Sequence, residues 1–128
     1  MDVNIKQCDA ILNVPTYPEL SGLNVSINVA ATQTVVVPNL SSYHLATLVI
    51  TLGVLDTLAI QGRMADGSTV GFLTAIGPAG TRVVLNTTNL VPANNGLYLL
   101  DRFDIYDMLF VYTMSTGPLS VQGRLGVA

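Results

Sequence analysis

The sequence TLAIQGR at residues 57–63 alternates apolar and polar side chains along its length. Leu58 and Ile60 fall on one side of an extended chain, and the residues between them fall on the other side. This period of two is typical of a β-strand with one face in a protein core. We therefore expect a strand here that buries Leu58 and Ile60.

Similar segments precede and follow this one. They are rich in Val, Ile, Leu and Thr, and Gly, Pro, Asn and Asp separate them. With TLAIQGR included, the predicted strands cover residues 25–29, 34–37, 45–52, 57–63, 69–73, 82–85, 96–100, 108–113 and 119–125. The clearest turn signals are Asp66-Gly67, Gly77-Pro78-Ala79-Gly80, Pro92-Ala93-Asn94-Asn95-Gly96 and Gly117-Pro118. About eight or nine short strands at this spacing predict an all-β fold, an antiparallel β-sandwich of jelly-roll type or a small barrel.

Part of the strand pattern occurs twice. The tripeptide at residues 61–63, Gln-Gly-Arg, recurs at residues 122–124, an offset of 61 residues. At the same offset four pairs of apolar residues match, which are Leu48 with Leu109, Ile50 with Val111, Leu58 with Leu119, and Ile60 with Val121. We expect two related strand pairs that bury the same face and pack as facing sheets.

The strand at residues 108–113 is apolar on both faces. Leu109 and Val111 alternate with Met108, Phe110 and Tyr112. A strand with one face in water is usually polar on that face. One interpretation is a second covering by the N-terminal segment, a loop or another subunit. The other is that aromatic and β-branched residues simply favour strands.

Residues 1–22 show no strand or helix period and contain Pro15 and Pro18. Residues before proline avoid the helical region, so this segment should be extended. We expect an extended N-terminal arm over residues 1–22 and a β-sandwich domain over residues 23–128. The apolar residues of the arm, which would pack on the body or on a neighbouring subunit, are Ile11, Leu12, Val14, Tyr17 and Leu20.

The low fraction of charged residues predicts a partner. Asp, Glu, Lys and Arg make up 10% of the chain, whereas soluble domains average about 25%. Thr, Asn, Ser and Gln replace them, and these neutral groups cost less to remove from water than ions do. The composition therefore favours a component of a larger assembly over an ordinary soluble domain that is poor in charge.

Charge and hydropathy argue against two classes of partner. The net charge is −3, and the five basic residues are spread along the chain. Nucleic-acid binding needs a basic cluster, and a membrane-surface helix needs a basic amphipathic face. No apolar stretch has the length of about 20 residues that a transmembrane helix requires. We expect neither nucleic acid nor membrane as a partner.

Motifs for catalysis or cofactor binding are missing from the sequence. Cys8 is the one cysteine and His44 the one histidine, and neither is part of a catalytic pattern. Asp101, Asp104 and Asp107 form a cluster that fits either a calcium site or a solvated turn. We expect no enzymatic activity, no cofactor and no metal ion.

Six segments follow, in order, a loose pattern of Pro- or Gly-marked strands, a short Asp-Gly loop and a closing Gly-x-Tyr strand. They lie at residues 35–48, 58–62, 65–68, 96–98, 106–112 and 115–121. In this order the chain resembles the small β-sandwich virion proteins of tailed bacteriophages, and the resemblance extends over about residues 25–127.

The resemblance implies a non-enzymatic structural protein of the virion, assembled in the host cytoplasm. Its most concrete form is a capsid cement or decoration protein, which contacts the major capsid protein or other virion subunits and often forms a dimer or trimer. In that setting we expect Phe110 and Tyr112, with the arm, at a subunit contact. The alternative is a tail or fibre module that acts as an adaptor or binds host glycan, for which Tyr98 near Asp101 is the best candidate pair.

Overall fold

The computed structural model describes residues 22–70, 73–85, 89–101 and 103–127. Within these ranges the chain forms nine strands and one short 3₁₀ helix, Pro92–Asn94. The strands are β1 Gly22–Val29, β2 Gln33–Val37, β3 Leu45–Thr51, β4 Thr57–Arg63, β5 Thr74–Ile76, β6 Arg82–Val84, β7 Gly96–Leu100, β8 Asp107–Thr113 and β9 Leu119–Gly126.

The strands form two sheets, and every pairing between them is antiparallel. The larger sheet has six strands in the order β1-β9-β3-β7-β5-β6, and the smaller has three in the order β2-β8-β4. Their inner faces share one hydrophobic core. The prediction of an all-β antiparallel sandwich with eight or nine short strands is confirmed.

The core follows directly from the alternation in the sequence. In β3, Ala46, Leu48 and Ile50 are buried while the residues between them are exposed. In β4, Leu58 and Ile60 are both fully buried, as the period of two predicts. Each strand therefore contributes one face to the core and presents the other outward.

The chain passes repeatedly from one sheet to the other, as it does in a jelly roll. The chain crosses between the sheets at each step from β1 to β4 and again from β7 to β9. The β8–β9 pair lies between two earlier pairs, since β9 contacts both β1 and β3 while β8 contacts both β2 and β4. This arrangement brings the β3–β4 loop, residues 52–56, beside the β8–β9 loop, residues 114–118.

One predicted strand is wrong. The sequence predicts a strand at residues 69–73, but Thr69 forms only an isolated bridge to Arg63 and the regular strand in this region is β5. The backbone of Val70 still bonds to Gly62 on the smaller sheet. Because β5 belongs to the other sheet, Thr69 and β5 are not parts of one continuous strand. Residues 71 and 72 of the predicted strand lie outside the described residues.

The repeated pattern corresponds to the pairs β3–β4 and β8–β9, but its phase is only half correct. Leu58, Ile60, Leu119 and Val121 are all fully buried. In β8, however, Met108, Phe110 and Tyr112 are the buried residues, and Leu109 and Val111 lie half-buried on the outer face. The reason is that Ile50, the last buried residue of β3, precedes the first buried residue of β4, Leu58, by eight positions, whereas Tyr112 precedes Leu119 by seven.

Candidate functional site

The structure places two predicted contact residues inside the core. The side chain of Phe110 is 0% exposed and that of Tyr112 is 1% exposed. Neither can contact a second subunit while the sandwich is folded, so this part of the sequence prediction is corrected. The other predicted contact residues, Ile11, Leu12, Val14, Tyr17 and Leu20, lie outside the described residues.

The proposed glycan pair is also corrected. The ring of Tyr98 is 1% exposed and its hydroxyl donates to the backbone carbonyl of Asn94 at 2.5 Å. Burial raises the pKa of this tyrosine. A sugar-binding platform needs an exposed aromatic face, and Tyr98 does not offer one.

The acidic cluster does not converge on a common point. Asp101 and Asp104 are exposed, while Asp107 is buried and accepts from Arg63 Nη2 at 2.8 Å. Nδ1 of His44 lies 3.0 Å from the backbone carbonyl of Phe103. Among the described residues, no three His, Cys, Asp or Glu side chains group to hold a metal ion. Within the same ranges no helix is long and apolar enough to cross a membrane.

The most densely bonded side chain in the described ranges is one that the sequence analysis did not identify. Asp56 is 0% exposed and joins the β3–β4 loop to the β8–β9 loop. Its Oδ1 accepts from the backbone amides of Ser115, Thr116 and Gly117 at 2.6, 3.0 and 3.1 Å. Its Oδ2 accepts from the amide of Gly53 at 2.9 Å and from the Tyr112 hydroxyl at 2.6 Å. We call this arrangement the Asp56 clasp.

The hydrogen bonds of the clasp hold Asp56 in its charged form. Burial by itself raises the pKa of this carboxyl group. The hydrogen bond from Tyr112 and the bonds from backbone amides outweigh burial, and together they hold the pKa of Asp56 well below its ordinary value. Burial, with the adjacent Asp56 carboxylate, raises the pKa of Tyr112 to about 12. Every donor is a group of the protein itself, so the clasp is structural.

The two loops of the clasp fit closely. A Cβ atom at Gly53 would collide with the carbonyl oxygen of Gly117, so only glycine allows this approach. The Thr116 hydroxyl donates to the carbonyl of Val54 at 2.8 Å, and the amide of Asp56 donates to the carbonyl of Gly53 at 3.1 Å. Residues 53–56 therefore form a tight turn whose two ends are fixed to the body.

The apex of this turn is apolar and exposed. Val54 is 66% exposed and Leu55 is 77% exposed, which are the two largest values among the large hydrophobic residues described. Leu55 also has a φ of +64°, in a turn position that usually holds Gly or Asn. We call Val54 and Leu55 the apolar tip. The clasp thus presents a strained leucine to solvent.

A second surface, which we call the neutral face, is one row of residues across the outer face of the six-stranded sheet, together with the adjacent Leu99. One row across four strands reads Ser26, Gln122, Val49 and Leu97, each paired with the next. Val49 is 45% exposed, Leu97 52% and the adjacent Leu99 40%. These five residues carry no charge, and the next row of the sheet, to which Leu99 belongs, contains Arg124 and Arg82 but no acidic residue. The neutral face combines uncharged polar groups on β1 and β9 with an apolar strip on β3 and β7.

The lack of charged residues on β1, β2, β3 and the apolar tip follows from one stretch of the sequence. From Leu20 through Leu55 the chain contains no Asp, Glu, Lys or Arg. This stretch includes β1, β2, β3 and the apolar tip. Two features of the sequence could have revealed these surfaces. Val54 and Leu55, which form the apolar tip, fall between predicted strands. Leu97 and Leu99, on the neutral face, share one face of a predicted strand.

Sequence comparison identifies no relatives, since no family model and no curated protein matches the chain. Comparison of structures does find similar folds. One is the crystal structure of the SPBc2 prophage-derived protein YomS, with a TM-score of 0.58 and 13% sequence identity. The match covers 81% of this chain and 93% of that chain. At this identity the likeness shows a shared fold, a β-sandwich that makes up nearly the whole of YomS.

Proposed function

We propose that this chain is a non-enzymatic structural subunit of a bacteriophage virion, most concretely a capsid cement protein that contacts major capsid subunits. The observation that carries the proposal is the neutral face. It exposes Val49, Leu97 and Leu99 side by side, among Thr, Ser, Asn and Gln side chains, with Arg124 and Arg82 in the row of Leu99 and without a carboxylate. Such a surface loses little hydration free energy when protein covers it.

The fold supports the assignment to a phage particle. YomS, which shares the sandwich, is a prophage-derived protein by its own description. Jelly-roll sandwiches are common in viral capsid domains. Fold alone does not determine function, so the neutral face provides the second, independent support.

The proposed mechanism is passive binding. A subunit that binds across the boundary between two capsid proteins stabilises the assembled state, in the same way that a ligand stabilises the state it binds. The neutral face would lie on the capsid surface, and the apolar strip of β3 and β7 would supply most of the buried apolar area. No catalytic group is needed for this role.

The test is incorporation into particles. Particles from the phage or prophage that encodes the chain should be purified on a density gradient. The protein should be found in the particle band, at many copies per particle and in a constant ratio to the major capsid protein. Leu97→Glu places a carboxylate in the apolar strip and should abolish incorporation. Val36→Glu is a matched control, because Val36 is 42% exposed but lies on the smaller sheet.

Two results would contradict the proposal. One is a wild-type protein that stays in the soluble fraction while particles assemble normally. The other is a Leu97→Glu variant that enters particles as well as wild type. The cement role has its own readout: particles that lack the protein should release their genome at a lower temperature, whereas a tail component would leave that temperature unchanged.

A further inference from the structure

The charged groups on the outer face of the six-stranded sheet are all basic. The six strands contain no Asp or Glu, and their two charged residues are Arg124 on β9 and Arg82 on β6. Both side chains are exposed and belong to the row of Leu99. The apolar strip of β3 and β7 lies between them. A partner that fits this face therefore combines apolar side chains with carboxylates.

A segment of that composition directly precedes the sheet in the chain. Residues 1–21, which lie outside the described residues, contain three acidic side chains and one basic side chain, a net side-chain charge of −2. They also contain the apolar residues of the predicted arm. The segment ends at Gly22, the first residue of β1. In the described part of the chain, β1 is the outermost strand of this same sheet.

The guanidinium group of Arg124 lies at this junction. A Cβ atom built on Gly22 would be 2.5 Å from both Nε and Nη2 of Arg124. Nη1 donates to Oδ1 of Asn24 at 3.3 Å. Glu19 is the last charged residue before β1 and precedes Gly22 by three positions, a span of about 10 Å in an extended chain. Its carboxylate is therefore within reach of the Arg124 guanidinium group.

The segment is long enough to reach the apolar strip as well. β7, which carries Leu99, is three strand spacings from β1, or about 14 Å at the usual spacing. Tyr17 precedes Gly22 by five positions, a span of about 17 Å when extended. Pro15 and Pro18 favour this extended backbone. Tyr17 can therefore lie on the strip while Glu19 lies at Arg124.

We propose that residues 1–21 dock on the outer face of the six-stranded sheet of their own chain, with the Glu19 carboxylate paired to Arg124 and the Tyr17 ring on the apolar strip. The pairing matches the negative charge of the segment to a basic position on the face. The ring covers apolar side chains that water would otherwise contact. The occupant is the chain's own segment because covalent attachment gives it an effective concentration in the millimolar range.

Docking and the proposed capsid contact involve the same strip. Docking needs no second protein, so it does not depend on the proposed virion role. Taken with that role, it means that the segment covers the strip in the free subunit. A capsid subunit would then displace the segment when it binds.

Carbodiimide coupling of the full chain tests the ion pair. The reagent joins a carboxylate directly to a nearby lysine amine. The Arg124→Lys variant should form an amide between Glu19 and the introduced amine, within one chain and at a yield that does not depend on protein concentration. Peptide mapping identifies the product. Arg82→Lys is the matched control, because this exposed arginine lies on the same face at the far edge of the sheet. It should give no amide with Glu19.

Cleavage by chymotrypsin after Tyr17 tests the contact with the strip. Cleavage should be slow in wild type, because the rate follows the fraction of molecules in which the segment is released. Leu99→Glu places a carboxylate beside the strip and should accelerate cleavage about tenfold or more. Val36→Glu, at a residue that is 42% exposed on the smaller sheet, should leave the rate unchanged.

Exchange of the two charges separates the ion pair from other effects of substitution. Glu19→Arg alone and Arg124→Glu alone should each accelerate cleavage after Tyr17. The double variant should restore slow cleavage, since it re-forms the pair with the charges reversed.

Docking would be overturned by Arg124→Lys chains that form no amide with Glu19, or by Leu99→Glu chains that are cleaved at the wild-type rate. An amide between two chains would also overturn it, because the segment would then lie on a second copy. An amide within the chain, in a protein that never enters particles, would support docking and refute the proposed function. A protein that enters particles without forming this amide would do the reverse.

Discussion

Asp56 shows how a single carboxylate can organise two loops. It accepts hydrogen bonds from donors on both loops and on β8, and it is fully buried. A buried carboxylate is tolerated only when such donors surround it. The surrounding donors therefore require a carboxylate at this position. A neutral side chain of the same shape should not replace it.

Asp56→Asn should lower the free energy of unfolding substantially. The asparagine amide replaces an acceptor with a donor that faces the amides of the clasp, and buried donors then lack partners. Urea denaturation should show a lower midpoint than wild type. Asp104→Asn, at an exposed carboxyl group, should leave the midpoint almost unchanged. Equal midpoints for Asp56→Asn and wild type would contradict a structural clasp.

The Asp56→Asn variant also tests how the free energy of unfolding depends on pH in acid. Because the native pKa of Asp56 is lowered, its stabilising effect is present above the unfolded value of about 4 and is lost as the pH falls through the native value. The stability difference between wild type and Asp56→Asn should therefore narrow in acid.

Tyr112 affects how the free energy of unfolding depends on pH in alkali. Its native pKa is about 12, above the unfolded value of about 10. A raised pKa stabilises the fold below the unfolded value, and the effect disappears as the pH rises through the native value. Wild type should be more stable than Tyr112→Phe near neutral pH, and this advantage should shrink between pH 10 and pH 12. An advantage that stays constant over this range in urea titrations would contradict the assignment.

At the scale of the strands, the repeated Gln-Gly-Arg has a packing explanation. A Cβ atom at Gly62 would lie 2.7 Å from Ile105 and 2.9 Å from Val70. A Cβ atom at Gly123 would collide with the backbone of Thr47 and lie 2.9 Å from the Cα atom of Leu48. Both strands need glycine at this position, but different neighbours impose it.

This difference predicts unequal effects of alanine. Gly62→Ala should cost about 1–3 kcal/mol of stability, because the methyl groups of Ile105 and Val70 can shift. Gly123→Ala should cost more, because the backbone of β3 cannot yield without breaking its pairing with β9. Ser120→Ala, on the outer face of β9, should change stability by less than about 0.5 kcal/mol. Urea midpoints would reveal the order, and a milder effect at Gly123 than at Gly62 would contradict it.

The strands were predictable because their signals are local. Alternation in β4 and β7 and the turn residues around them fixed these elements to the residue. The outward position of Leu109 was not predictable, because it depends on whether the first or the second residue of the following strand points into the core. Asp56 escaped notice for a related reason: four of its five donors lie 56–61 residues away in the sequence. The apolar tip was predictable from the sequence, because Val54 and Leu55 are hydrophobic residues between two predicted strands.

For the whole molecule, the lack of charge in the apolar strip determines how binding to particles should respond to salt. Contacts between ions weaken as the screening length falls from about 10 Å at 0.1 M salt to about 3 Å at 1 M. Contacts made by Val49, Leu97 and Leu99 would involve no ion pair. Binding to particles, measured by co-sedimentation, should therefore not weaken over this range. A marked loss of binding at high salt would contradict an uncharged contact.

The stretch without charged residues, from Leu20 to Leu55, lies within a longer stretch that trypsin cannot cleave. This protease cuts after Lys and Arg. Between Lys6 and Arg63 the chain offers it no site. A complete digest would release β1 to β4, with the tip and the clasp carboxylate, as one long apolar peptide. In the proposed incorporation test, a tryptic map of the particle band would then register only the C-terminal half of the protein, so chymotrypsin is the better enzyme for detecting it by mass spectrometry.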